Sequence, residues 1–187
     1  MATHEPILTD ELFGDLEISE NEKWMVVYTK PKREKKLAKY AAENGIHYYL
    51  PLTDSVRIYS DRKVTFTKPL FSGYIFVKCD FEKKKSIIRT GHIVTFLRVR
   101  NEEELIYELK QIHLGKTKGA KMEPTEFFEK GNKVLITAGP FEGLTGVVKD
   151  QKNVKEVILK INVLRQAVSV QVSSDQLEFI SEGNEEE

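Results

Sequence analysis

The hydrophobic periodicity of this 187-residue chain changes character once, and that change constrains its fold more than any other feature. Over residues 23–112, strand-like and helix-like patterns alternate. Trp24-Met25-Val26-Val27-Tyr28 reads as a strand, and Pro31 then opens a helix that carries Leu37, Ala38, Tyr40 and Ala41 as its apolar stripe through Glu43. Asn44-Gly45 stops it, because glycine tolerates the left-handed backbone a helix end needs. Tyr48 to Tyr59 is extended and turns at Ser60-Asp61 into Lys63–Phe66, a hairpin pattern. Gly73 to Val77 is a strand, Asp80 caps a short helix ending near Gly91, and Val94 to Val99 is a further strand. Asn101-x-x-Glu104 forms a capping box ahead of Leu105, Leu109 and Ile112 on one helical face. Residues 113–126 lose periodicity and gather Gly, Lys and Pro, as a linker does. From Phe127 onward only period-two patterns remain: Val134 and Ile136, then Val157-Ile158-Leu159 and Ile161, then Val168, Val170 and Val172. Short strands with Gly-rich turns over 127–180 suit a small closed barrel, which leaves no exposed strand edge.

The expected fold class is therefore α+β: an N-terminal α/β sandwich (23–112), a linker (113–126), a C-terminal SH3-like β-barrel (127–180), and acidic ends at 1–22 and 181–187. Residues 1–22 read either as a disordered tail or as a short amphipathic segment folded back on the body.

The formal net charge of zero hides a sorting along the chain. Residues 1–21 carry six acids and no Lys or Arg, whereas residues 22–112 carry 19 Lys and Arg against 11 acids. A basic first module suits a polyanionic partner; a plain solvated lysine-rich surface is the alternative. Cys79 is the only cysteine, which excludes an internal disulfide and suits a reducing compartment. There is no apolar run of membrane-spanning length and no basic-then-apolar leader, so a cytoplasmic protein with no membrane partner is expected. His4, His47, His92 and His113 have no metal-ligand spacing with one another or with Cys79, and phosphate-loop, dinucleotide and nucleophile-elbow motifs are missing. The expectation is no catalytic residue, no metal, no cofactor and no enzyme activity.

Lys130-Gly131-Asn132-Lys133-Val134 through Gly139-Pro140-Phe141-Glu142-Gly143-Leu144-Thr145-Gly146-Val147-Val148 has the order strand, tight turn, strand, with Gly143 and Gly146 where positive φ or close backbone approach excludes a β-carbon. It resembles a KOW motif. Upstream, Trp24-Met25-Val26-Val27-Tyr28-Thr29-Lys30 and Lys68-Pro69-Leu70-Phe71-Ser72-Gly73-Tyr74-Ile75-Phe76-Val77 resemble the signatures of the NusG N-terminal domain, in the same order and ahead of a single KOW module. The wording of the second is closer to specialised RfaH-like paralogs.

The resemblance implies a monomeric transcription elongation and antitermination factor that docks on the clamp helices of RNA polymerase and suppresses pausing or termination, on long operons such as those for surface polysaccharide. By that resemblance, Tyr28, Leu70, Phe71 and Tyr74, with Trp24 nearby, form the apolar docking patch, although Trp24 and Phe76 also suit the core. Lys30, Arg33, Lys36 and His92 are the candidates for contacting non-template single-stranded DNA. Phe141, Val163, Leu164 and Arg165 are the candidate partner-binding positions of the KOW module. There the family's Ile-Phe-Gly loop, which meets Rho and a ribosomal protein, has become Val163-Leu164-Arg165, and weak or no Rho contact is expected. Two further departures are Ser72, where the family commonly has proline, and Lys83-Lys84-Lys85-Ser86, where RfaH-like proteins carry His-Thr-Thr. A housekeeping NusG-type factor and a ribosome-associated RNA-binding KOW protein are the alternatives.

Overall fold

The computed structural model describes residues 7, 9–59, 62–125, 132–148 and 156–180. The chain divides into two compact units, residues 1–106 and residues 107–187.

In the first unit, β1 (Leu12–Phe13), β2 (Lys23–Thr29), β3 (His47–Tyr49), β6 (Tyr74–Cys79) and β7 (Ile93–Leu97) form a sheet in the order β1-β3-β6-β2-β7. Every pairing in it is antiparallel. β6 is the middle strand, and Ile75 to Cys79 are all buried, so its pattern is continuously apolar rather than alternating. Lys78 is the exception: the residue is 5% exposed, and its ammonium is met by Asp15 at 3.2 Å. β4 (Leu52–Tyr59) and β5 (Arg62–Pro69) pair residue for residue as a separate two-stranded ribbon. The expected turn residues Ser60 and Asp61 lie outside the described residues.

Helices α1 (Glu34–Glu43) and α2 (Phe81–Arg89) supply Leu37, Ala38, Ala41 and Ile87 to one core with Val27, Ile46, Tyr48, Ile75 and Val77. The helix signals act as expected: the Asp80 carboxylate accepts the Lys83 N–H at 2.8 Å, and Gly45 follows α1 at φ +63°. α1 starts three residues later than the Pro31 signal suggests, because Lys32 is held at φ +60°, outside the helical region. The N-terminal segment folds back from residue 9 onward. β1 adds an edge to β3, the Leu50 N–H donates to Glu11 O, the Tyr48 hydroxyl to Asp10 O, and the Trp24 indole to Glu17 O.

α3 (Glu102–Thr117) contains the boundary between the units, which falls after Ile106. Asn101 accepts the Glu104 N–H at 3.0 Å, and Leu105, Leu109 and Ile112 are buried, as their spacing predicts. Residues 113–126 differ from the expected aperiodic linker. The helix continues to Thr117, and β8 (Glu123–Thr125) pairs with a strand of the second unit. A β-carbon at Gly115 would lie 2.3 Å from the Met122 methyl, so a larger residue there would require that flexible side chain to shift.

The second unit is a six-stranded antiparallel sheet that adds β9 (Asn132–Ile136), β10 (Thr145–Val148), β11 (Glu156–Ile161), β12 (Gln166–Gln171) and β13 (Leu177–Phe179), in the order β13-β9-β10-β11-β12-β8. Val134, Ile136, Val157, Ile161, Val168 and Val170 form its buried face, matching the period-two pattern.

Candidate functional site

Alternation along β2 sends Met25 and Val27 toward the helices and Trp24, Val26 and Tyr28 to the opposite face. In register, Trp24 lies across from Lys78, Val26 from Phe76, and Tyr28 from Tyr74. The Tyr28 and Tyr74 rings lie 5.2 Å apart at 33°, and Tyr28 is 40% exposed. A tight turn leads into Tyr74: its N–H donates to Phe71 O at 3.1 Å, and Gly73 adopts φ +87°. A β-carbon at Gly73 would lie 3.1 Å from the Tyr28 ring, so glycine also allows the two tyrosines to close on each other.

The other residues expected in an exposed patch are not at the surface. Trp24 is 1% exposed, Leu70 4% and Phe71 2%. The Trp24 indole is capped by Glu17, Phe71 packs edge-on against Phe76 with ring centroids 6.3 Å apart, and the Leu70 N–H donates to Pro51 O. The patch read from sequence therefore resolves into an accessible tyrosine pair and three buried residues. Ser72 is exposed in the turn.

Two residues beyond Tyr28 the chain enters the basic cluster. The Lys30 N–H donates to His92 O at 2.9 Å, and the Arg33 N–H donates to Lys30 O at 3.1 Å. This joins the end of β2 and the start of α1 to the turn before β7. Burial, followed by the charges of Arg33, Lys36 and Lys30, pushes the His92 imidazole below its ordinary pKa. All four residues proposed from sequence for nucleic-acid contact thus share one electrostatic neighbourhood. Lys35 turns elsewhere, to Thr67 O at 2.8 Å and Thr67 Oγ1 at 2.6 Å. The lysines of α2 are engaged locally: Lys83 pairs with Glu22, Lys84 lies over the Phe96 ring, and Lys85 lies over Phe81.

In the second unit, the β9–β10 and β11–β12 connections leave the same end of the sheet, since the strands alternate in direction. Phe141 is half-buried in the first connection. Val163 is half-buried, Leu164 buried and Arg165 exposed in the second, a single 3-10 turn. Arg165 has φ +51°, a left-handed backbone that costs a non-glycine residue about 1 kcal/mol or more. The Glu108 carboxylate accepts the Asn162 N–H at 3.0 Å and 3.2 Å, and Gln111 accepts the Thr145 N–H at 2.8 Å.

Among the described residues no group of three or more His, Cys, Asp and Glu could hold a metal, and no helix is long and apolar enough to cross a membrane. His4 lies outside the described residues. Cys79 is buried, and its thiol is pushed up to about 12 by desolvation, so it is not a thiolate nucleophile. Two features escaped sequence reading. The strap of residues 9–22 pairs Asp15 with Lys78, and Glu34 accepts the Gly73 N–H at 2.8 Å. Both contacts join residues at least 39 positions apart, which no local pattern encodes.

Residues 22–114 match the family described as Transcription termination factor nusG. A curated relative, the Transcription termination/antitermination protein NusG of Campylobacter jejuni, is 23% identical over 176 residues, covering 84% of this chain and 97% of that protein.

Proposed function

We propose, from the match of residues 22–114 to the NusG family of non-enzymatic transcription factors that bind RNA polymerase, that this chain is an elongation and antitermination factor acting on a restricted set of long operons, such as those for surface polysaccharide. Its N-terminal unit docks on the polymerase clamp helices through Tyr28 and Tyr74. Leu70, Phe71 and Trp24 are buried and serve packing rather than direct contact. Lys30, Arg33, Lys36 and His92 hold phosphates of the non-template strand beside the docking point. The observation that carries this reading is the accessible tyrosine pair two residues from a basic cluster: aromatic rings are efficient interface anchors, and clustered cations bind single strands. The factor works as a monomer in the cytoplasm.

We further propose that the second unit is an SH3-like KOW barrel. Support comes from β8 and β9, consecutive in the chain, whose partners β12 and β13 stand at or next to opposite ends of the sheet order, as in a sheet that wraps round. Its partner surface comprises Phe141, Val163, Leu164 and Arg165. The left-handed backbone at Arg165 suits the glycine of the family loop, which supports that correspondence. A charged side chain there, with leucine in place of phenylalanine, weakens any Rho contact and favours the specialised reading over the housekeeping one.

Mapping this protein along the genome on transcribing polymerase tests the proposal. A handful of peaks over long operons is the expected result. Broad occupancy would assign it to the housekeeping class, and recovery on ribosomes with none on polymerase would overturn the reading. In a termination assay, little or no stimulation of Rho is expected.

A further inference from the structure

Glu34 is an ionisable side chain only 5% exposed, and the docking surface described above gives it no role. It opens α1 on the helix's buried face, with Leu37, Ala38 and Ala41, while Lys36 points outward. Its Oε1 accepts the Gly73 N–H at 2.8 Å. The carbonyl of the same glycine is held from the other side by Thr29, 1% exposed, whose N–H donates at 2.8 Å and whose Oγ1 donates at 3.2 Å. Both polar groups of Gly73 are therefore clamped, at the residue whose positive φ sets the turn from Phe71 to Tyr74. Glycine has the widest conformational freedom of any residue, so this peptide is the softest point of the turn and the one that most needs external restraint. Glu34 is also the immediate neighbour of Arg33 and two residues from Lys36.

We infer that Glu34 is a positioning residue: through the Gly73 peptide it holds the Tyr74 ring against Tyr28, and through the first turn of α1 it ties that pair to the basic cluster. The inference rests on the docking reading proposed above.

The test uses the full chain and binding to core RNA polymerase, with backbone amide exchange followed at Gly73 and along α1. Y74A is expected to weaken binding about tenfold, E34A by about the same factor, and the double variant by little more than either, because a misplaced ring and an absent ring lose the same contact. E34Q keeps an acceptor oxygen and is expected to restore binding to within about threefold. In E34A the Gly73 amide loses protection while the α1 amides keep theirs.

If Y74A weakens binding while E34A binds like wild type, the inference falls and the docking reading stands. If Y74A itself binds like wild type, the docking reading falls and takes the inference with it. Additive losses, about a hundredfold in the double variant, would mean that Glu34 acts by general stabilisation, and would also overturn the inference. Should E34A fail to fold, E34D, which keeps the charge on a shorter arm, replaces it with the same outcomes.

Discussion

The N–H of Lys30 donates to the carbonyl of His92 across 2.9 Å, which fastens the His92 backbone to the basic segment leading into α1. Desolvation and the charges of Arg33, Lys36 and Lys30 hold the His92 imidazole below its ordinary 6.5. Its neutral form is the one the fold favours. The stability it contributes is therefore present at higher pH and is lost as pH falls, since the unfolded chain takes up the proton first. A bound polyanion reverses that preference by stabilising the imidazolium. Affinity for a single-stranded oligonucleotide should then rise as pH falls from about 7 to about 5, and H92A should flatten that rise. Titration at constant ionic strength measures it; an identical slope in H92A would remove His92 from the contact.

Salt dependence separates the cluster from its neighbour. Each of K30A, R33A and K36A should reduce the slope of log affinity against log salt by about 0.7 on single-stranded DNA, the loss of one phosphate contact. K35A should leave the slope unchanged, because the Lys35 ammonium is spent on Thr67. Fluorescence titrations at several salt concentrations distinguish the two groups.

The aromatic residues should divide by burial. Y28A, at a position 40% exposed, should leave the melting temperature within a few degrees of wild type while weakening polymerase binding. F71A, at a position 2% exposed and packed on Phe76, should cost about 3–5 kcal/mol of stability. Thermal unfolding beside polymerase pull-down makes the comparison; a fully stable F71A would contradict the packing described.

The strap contributes through Asp15, whose carboxyl is held below its ordinary 3.8, first by the Glu17 N–H and then by Lys78 and His47, against the cost of burial. That contribution is complete above 3.8 and is lost as pH falls through the lower, folded value. D15N should unfold at lower urea concentration near neutral pH, because the buried Lys78 ammonium loses its counter-ion. It should also lack part of the acid dependence of the wild type. Urea midpoints across the acid range provide the measurement.

Much of this architecture is local in origin and was legible in the sequence. The Asp80 and Asn101 caps, the Gly45 stop and the buried stripe of α1 arise within single elements, where spacing of three or four residues settles which atoms meet. The two glycines singled out in the KOW-like stretch each have one of the two reasons expected. Gly143 adopts φ +88°, and a β-carbon at Gly146 would lie 2.7 Å from the Ile158 carbonyl. The sheet order β1-β3-β6-β2-β7 is decided elsewhere: it places a strand from the acidic extension beside Tyr48 and Tyr49, and the end of β2 beside His92. Periodicity shows that Phe71 and Tyr74 are apolar positions near a turn, but exposure depends on what packs over each ring. Phe71 meets Phe76 and is buried, whereas Tyr74 meets the half-exposed Tyr28. Sequence alone determined most of the helices and strands, because backbone preference and side-chain alternation act over a few residues; the run of α3 to Thr117 and the strands β1 and β8 depend on partners far along the chain. Only the tertiary structure decided which aromatic rings and charges a partner can reach, because burial is a sum over neighbours far apart in the chain.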